Sequence, residues 1–381
     1  MRIKYLLILL LFCAGAAVSQ GKIENTYNYL KQGTLDKAKV EIDLATGQTD
    51  LQAKASTWYY RGVVYHSIYE STNETYQKLS TDPLTEAYNS YLKAIKLDEE
   101  KEYLNDITKR LEIASISFYN IGVDEFSKNN YERAFACFEN SLNINQMPLF
   151  NVIDTIVYLN AAICADKSGK TEKAKEYYKK LIELKYGGPK VFLGMAELYS
   201  KEKKYTDFVE ILKAGISKYP NDCKSLLIKL INYYMMNNQK DKALDYLNIA
   251  IEKDSGNETF YFVKGSIYDQ MEDYDNALIF YTKALEINTQ YFDALYNAGV
   301  IYFNKGIDYI KNAEENMNNN SAYEELKAKA EINFKKALPY LESAYSNKND
   351  DFSTMKTLLV IYNRLQMEEK FKEMKSLLNT E

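Results

Sequence analysis

The sequence predicts an all-α protein, and three observations carry that prediction. Glycine (15) and proline (5) are scarce over 381 residues, so the frequent turns that strands require are missing. A small residue set between a bulky residue and a tyrosine recurs along the chain, as Gly62 in WYYRGVVY, Gly265 in YFVKGSIY and Gly299 in LYNAGVIY. A second pattern follows downstream, alanine-x3-bulky-x2-alanine, and its spacing keeps all three residues on one helix face.

The second pattern reads Ala277, Tyr281 and Ala284 in NALIFYTKALEIN, and recurs at Ala243, Leu247, Ala250, at Ala87, Tyr91, Ala94 and at Ala38, Ile42, Ala45. Aligning the small position of the first pattern gives Thr26, Gly62, Gly122, Ala162, Ala196, Ile231, Gly265, Gly299 and Leu359. The steps are 36, 60 and 40, then 34, 35, 34 and 34, then 60. The first alanine of the second pattern stands at Ala38, Ala87, Ala134, Ala174, Ala243, Ala277 and Ala337, with Phe208 and Phe371 departing from it. Tyrosine closes the first pattern at Tyr29, Tyr65, Tyr199, Tyr234, Tyr268, Tyr302 and Tyr362, while Glu125 and Ala165 depart.

These residues resemble the tetratricopeptide repeat (TPR), a 34-residue helix-turn-helix with a W-x2-L-G-x2-Y…A-x3-F signature. Trp58, Gly62 and Tyr65 match its first half; Tyr261, Gly265, Tyr268, Ala277, Tyr281 and Ala284 match both halves without a gap. The resemblance implies a right-handed α-solenoid (superhelix) of about nine repeats, near 20–52, 55–97, 115–148, 155–188, 189–222, 224–257, 258–291, 292–348 and 352–381. Trp58, Gly62, Tyr65, Gly122, Ala134, Gly265, Tyr268, Ala277, Tyr281, Ala284, Gly299 and Tyr302 are then the residues that pack one helix on the next. Small residues let helices approach closely, and the bulky residue a turn away fills the space beside the contact. No single pair buries its apolar face alone, so neighbours must stack.

Three stretches exceed the repeat length. Residues 71–83 carry Asn, Ser, Thr and Pro and read as a surface loop; 99–111 reads as a short spacer helix. Residues 304–333 read as a helical hairpin with an Asn-rich tip at Asn318–Asn320, Ser321 and Glu324 forming a capping box and Pro339 kinking the second helix.

The first twenty residues combine basic Arg2 and Lys4, an apolar run from Tyr5 to Phe12 and a small-residue stretch from Ala14 to Ser19. That is the layout of a signal peptide over 1–19, the apolar run being too short for a membrane span, so export to the periplasm or the cell exterior is expected. Cys13 raises lipid anchoring, but Leu11 and Phe12 before it depart from the Leu-small-small-Cys pattern. No later run is long enough to span a bilayer. Cys137, Cys164 and Cys223 are odd in number and widely spaced, which is no disulfide framework, and their neighbours place them in helices as small buried hydrophobes.

The net charge is −5, and −7 without Arg2 and Lys4, which lacks the basic stripe that nucleic acid needs. No P-loop, HExxH, GxSxG or EF-hand pattern is present, and no ligand cluster for a metal. His66, the sole histidine, reads as a solvated or groove-facing residue. No catalytic, cofactor or metal site is expected.

In the family that the chain resembles, the first helices line a concave groove. The corresponding residues are Tyr59, Val63, Tyr119, Val123, Leu159, Ile163, Ile228, Phe262, Tyr296 and Val300, with Leu193, Glu197, Asn232, Ser266, Lys356 and Val360 also at such positions. They are mostly aromatic or aliphatic, so a clamp for a carboxylate is not expected. The function expected is a non-enzymatic scaffold for a protein or peptide partner; the alternatives are a periplasmic holdase and, ranking lower, a glycan-binding solenoid.

Overall fold

The computed structural model describes residues 21–378, all of whose regular structure is helical. The signal-peptide reading of 1–19 lies outside the described residues. The helices form two units, one ending at Lys204 and the other beginning at Tyr205. The division falls within the fifth expected pair, whose second helix carries Phe208 in place of alanine.

In the first unit, α1 (residues 21–31), α2 (Leu35–Thr46), α4 (Ala55–Glu70), α6 (Pro83–Leu97), α7 (Leu104–Ser127), α8 (Tyr131–Asn145), α9 (Thr155–Lys167), α10 (Thr171–Glu183) and α11 (Pro189–Lys201) run in order, with single turns α3 (Thr49–Gln52) and α5 (Glu74–Gln77) between. The second holds α12 (Tyr205–Lys218), α13 (Lys224–Met236), α14 (Lys240–Lys253), α15 (Glu258–Gln270), α16 (Tyr274–Ile287), α17 (Phe292–Glu315), α18 (Asn320–Asn347), α19 (Phe352–Arg364) and α20 (Glu368–Leu378). Within each unit a helix packs on the one before and the one after it, as α8 does on α7 and α9 and α16 on α15 and α17.

One contact recurs: a ring or branched side chain of the second helix seats in a notch on the first. A Cβ added at Gly62 would lie 2.3 Å from Cε1 of Tyr91, and one at Gly265 2.7 Å from Cδ1 of Tyr281. Phe138 fills the notch at Gly122, and Leu341 the one at Gly299. Each of these bulky residues follows a fully buried alanine by four: Ala87, Ala277, Ala134 and Ala337. A buried side chain of this size contributes about 1.5–3 kcal/mol. The hydroxyls stay satisfied, Tyr281 Oη donating to Asp269 Oδ2 at 3.2 Å. The fourth pair differs. Its small residue is Ala162, and Tyr178 instead fills the space over Gly194 of the following helix.

The turns inside the pairs share a geometry. Gly33, Asn129, Gly169, Lys203, Asn238, Glu272 and Gln366 all have positive φ, two residues before a second helix. The next residue donates its N–H back to the residue that ends the first pattern, as Asp273 does to Tyr268 O at 2.9 Å and Met367 to Tyr362 O at 2.9 Å. This is a Schellman closure, which satisfies a carbonyl left open at a helix end.

Four expectations are corrected. No separate spacer helix fills 99–111: from Leu104 this stretch is the first part of α7, because Ile107, Leu111, Ala114 and Phe118 make one continuous buried stripe. The stretch 71–83 contains the helical turn α5, capped by Asn73. The hairpin is capped by Asn319, whose side chain accepts from the Ala322 N–H, rather than by Ser321, which lies inside the helix. α18 is continuous across Pro339. Cys137 and Cys164 lie in buried helix positions, whereas buried Cys223 precedes α13 as its cap residue and donates to Pro220 O.

The notch also builds the hairpin. Seven residues beyond Gly299, a Cβ at Gly306 would meet Phe334, which lies seven before Leu341. Ala330, Phe334, Ala337, Leu341 and Ala344 are all buried at alternating steps of four and three, the seam of two helices in coiled-coil contact.

A Gly265→Leu substitution drives a side chain into Tyr281 and the Ala277 carbonyl. It should cost about 1–3 kcal/mol or more, read as a lowered urea midpoint. Gly256→Ala, with open space around it, should stay within about 0.5 kcal/mol of the wild type. Equal stability of the two would show that the notch is not under packing constraint.

Candidate functional site

The ten residues expected to line a groove divide by environment. Tyr59 is half-buried, stacks on Tyr103 with ring centroids 4.4 Å apart and donates to Asp106 Oδ2 at 2.9 Å. Burial, with the Asp106 hydrogen bond second, pushes its hydroxyl up to about 12. Val63 packs beside it against the core around Tyr91. Phe262 sits between Tyr281 and Tyr291, at 5.7 and 5.0 Å. Tyr296 and Val300 pack against the core that α17 and α18 share with α19. Leu159 and Ile163 are half-buried. Val123 and Ile228 are open, at 43% and 38% exposure.

Tyr119 and Ile228 each line a cavity. The first, about 430 Å³, opens in the seam between α7–α8 and the N-terminal end of α9. Its walls are Ile116 and Tyr119 from α7, Phe150 and Val152 from the connection, and Ile156 and Val157 from α9. Ile116 and Ile156 are 60% and 51% exposed, so the apolar lining is open to solvent. Ser115, Ser141 and Asn145 also line it. They bond to one another, Ser115 Oγ donating to Asn145 Oδ1 at 2.7 Å and lying 3.0 Å from Ser141 Oγ. Glu112 and Asp154 complete the lining. One oxygen of Asp154 caps α9, accepting the N–H of Ile156 and of Val157.

The second cavity, about 330 Å³, occupies the same register in the other unit, between α13–α14 and the start of α15. Ile228 stands where Tyr119 does, Asn257 where Asp154 does, and Thr259 and Phe260 where Ile156 and Val157 do. Asn232, Leu247 and Val263 contribute to it. Sequence reading found one or two residues of each cavity. It missed the connection Phe150–Ile156, although an apolar run such as Val152–Ile153 between helices was a readable signal of a surface that water does not favour.

A family model described as tetratricopeptide repeat matches residues 156–186 and 259–291, the α9–α10 and α15–α16 pairs. The chain carries tetratricopeptide repeats. It is 21% identical over 58% of its length to a TPR repeat-containing protein of Methanocaldococcus jannaschii, and 24% identical over 41% to a BBSome complex member homolog of Drosophila melanogaster. It spans only 40% and 33% of those relatives. Among solved structures, YrrB, titled a TPR protein with an unusual peptide-binding site, aligns with 55% of this chain and 97% of its own at 19% identity and a TM-score of 0.35. MamA aligns with 51% and 92% at 20% identity and 0.36. At such scores the fold rests on the helix ladder itself.

One set of polar groups forms a closed network. Arg61 bonds Asp43, Ser90 and Glu86 at 3.3, 2.8 and 2.7 Å, tying α2, α4 and α6 together, and Tyr65 Oη donates to the same Asp43. Among the described residues no group of three His, Cys, Asp or Glu has metal-binding placement, and no helix is long and apolar enough to cross a membrane. Burial pushes the Cys137 thiol up to about 11, far from a reactive thiolate.

His66 corrects the sequence reading. It is 1% exposed, neither solvated nor facing a groove. Lying four residues after Gly62, it shares the face that meets α6, and its Nδ1 is 3.4 Å from Tyr91 Oη. Its Nε2 lies 3.6 Å from Glu70. Burial lowers its pKa below the ordinary 6.5, against the opposing pull of Glu70.

Two outcomes follow from these environments. The unfolded chain binds a proton on His66 more readily than the folded one, so stability should fall as the pH drops through and below the ordinary histidine range, about pH 7 to about pH 5. As His66 is the sole histidine, a His66→Gln variant, though less stable, should lose that slope in urea unfolding measured across the range; an unchanged slope would refute the assignment. Phe262→Ala should cost about 1–3 kcal/mol, since the ring is only part-buried, while Ile116→Ser stays within about 0.5 kcal/mol. Thermal unfolding of the two compares packing with open lining.

Proposed function

We propose that this TPR protein is a non-enzymatic scaffold that holds extended segments of a protein partner in the seam pockets, and that it works in the cell envelope or outside the cell. The observation that carries the reading is the solvent-open apolar lining at Ile116, Tyr119, Val152 and Ile156. These side chains would be covered when the apolar stem of a partner's side chain enters, and such an anchor in a desolvated pocket is what concentrates binding energy. Val123, on α7 near Tyr119, and Ile228 in the other unit extend the same kind of surface. Export is supported by the Arg2–Lys4, Tyr5–Phe12, Ala14–Ser19 layout alone.

A holdase for exported proteins is the second reading. Its support is the recurrence of an apolar pocket at the same register in both units, which suits clients without a fixed sequence. The test is affinity capture from the native envelope with the mature chain and with an Ile116→Ser/Ile156→Ser variant. One saturable partner lost in the variant supports the scaffold. Capture undiminished in the variant defeats the pocket reading, and suppressed aggregation of unrelated clients would favour the holdase. Mass spectrometry of the mature protein should find an N-terminus near Gln20.

A further inference from the structure

The geometry points to a cationic side chain, lysine or arginine, on a protein segment as the occupant of the α7–α8–α9 pocket. This deepens the seam-pocket reading and rests on it. The argument is charge complementarity within a built cavity. Of the eleven lining residues two are acidic, Glu112 and Asp154, and none is basic. Glu112 is exposed and enters no ion pair among the described residues. Asp154 uses one carboxylate oxygen to cap α9, and that leaves its second lone-pair edge for a ligand.

The rest of the pocket suits the stem and the head of such a side chain. Ile116, Val152 and Ile156 offer an apolar surface along which a flexible methylene chain can lie while its charge stays near the rim. Tyr119 presents a ring to an ammonium or guanidinium group. Ser115, Ser141 and Asn145 add neutral oxygens that take hydrogen bonds from an N–H donor.

The equivalent pocket in the second unit makes the comparison specific. There Asn257 replaces Asp154, no carboxylate lines the cavity, and the lining is Ile228, Ile231, Leu247, Phe260 and Val263 with neutral polar groups. Two pockets built by the same fold at the same register therefore differ in charge, and only the acidic one offers carboxylates to a basic residue.

The test uses the full mature chain, immobilised, and pools of acetylated, amidated nonapeptides with the central residue fixed as lysine, arginine, norleucine or glutamate and the other positions randomised. Norleucine keeps the lysine stem without its charge. The lysine and arginine pools should be retained about fivefold or more over norleucine, the scale of partly screened ion pairs. The preference should vanish at high salt. It should also vanish in a Glu112→Gln/Asp154→Asn double variant, in which asparagine preserves the helix cap, checked for folding by circular dichroism. Equal retention of lysine and norleucine by the wild type, or a preference that survives in the double variant, overturns the inference. Retention of no pool at all defeats the underlying peptide-site reading, so the two failures are told apart.

Discussion

The structure depends on one steric fit: a ring or branched side chain of one helix occupies the space where its neighbour has no Cβ. Tyr91 over Gly62, Phe138 over Gly122, Tyr281 over Gly265 and Leu341 over Gly299 are the same event in four pairs. The close approach brings the backbones together, and the buried alanines on the second helix let the following helix approach in turn. Much of the chain's large tyrosine content is spent on these contacts and on the half-buried rings beside them. Each pair still leaves an apolar face that only its neighbour can cover, which is why α8 packs on both α7 and α9.

The ladder was legible in the sequence because the fit leaves a chemical trace. A glycine inside a helix is unfavourable unless packing requires it, so Gly62, Gly265 and Gly299 announced themselves. Gly194 and Gly306 follow the same rule but stand off the aligned column, and the sequence pattern did not single them out. The turns were less legible. Of the seven positive-φ positions only Gly33 and Gly169 are glycine; lysine, asparagine, glutamate and glutamine fill the others, where the Schellman bonds hold the backbone. His66 was misread because it was placed by its neighbour Tyr65 rather than by Gly62, one helical turn earlier and on the same face.

The candidate site was half legible. Resemblance placed Tyr119 and Ile228 on first helices, and both line cavities. It could not separate them from Tyr59, Phe262 or Tyr296, which line neither cavity, because all five occupy the same register. At the first cavity part of the wall comes from outside the repeat: α7 starts eleven residues before Ser115, and Phe150 and Val152 belong to the connection before α9. Electrostatics divides the molecule in a similar way. Around Arg61 the carboxylates are matched within the fold, whereas at Glu112 and Asp154 the acidic groups meet no basic lining residue.

The hairpin of α17 and α18 has a consequence for size. Because Gly299–Leu341 and Gly306–Phe334 are one motif displaced by a heptad along both arms, adding or removing seven residues from each arm would keep the same faces together. Each such increment moves the Asn-rich apex by about 10 Å. The arm is in effect a graduated ruler, whose reach evolution or an engineer can reset without redesigning the base from which it grows.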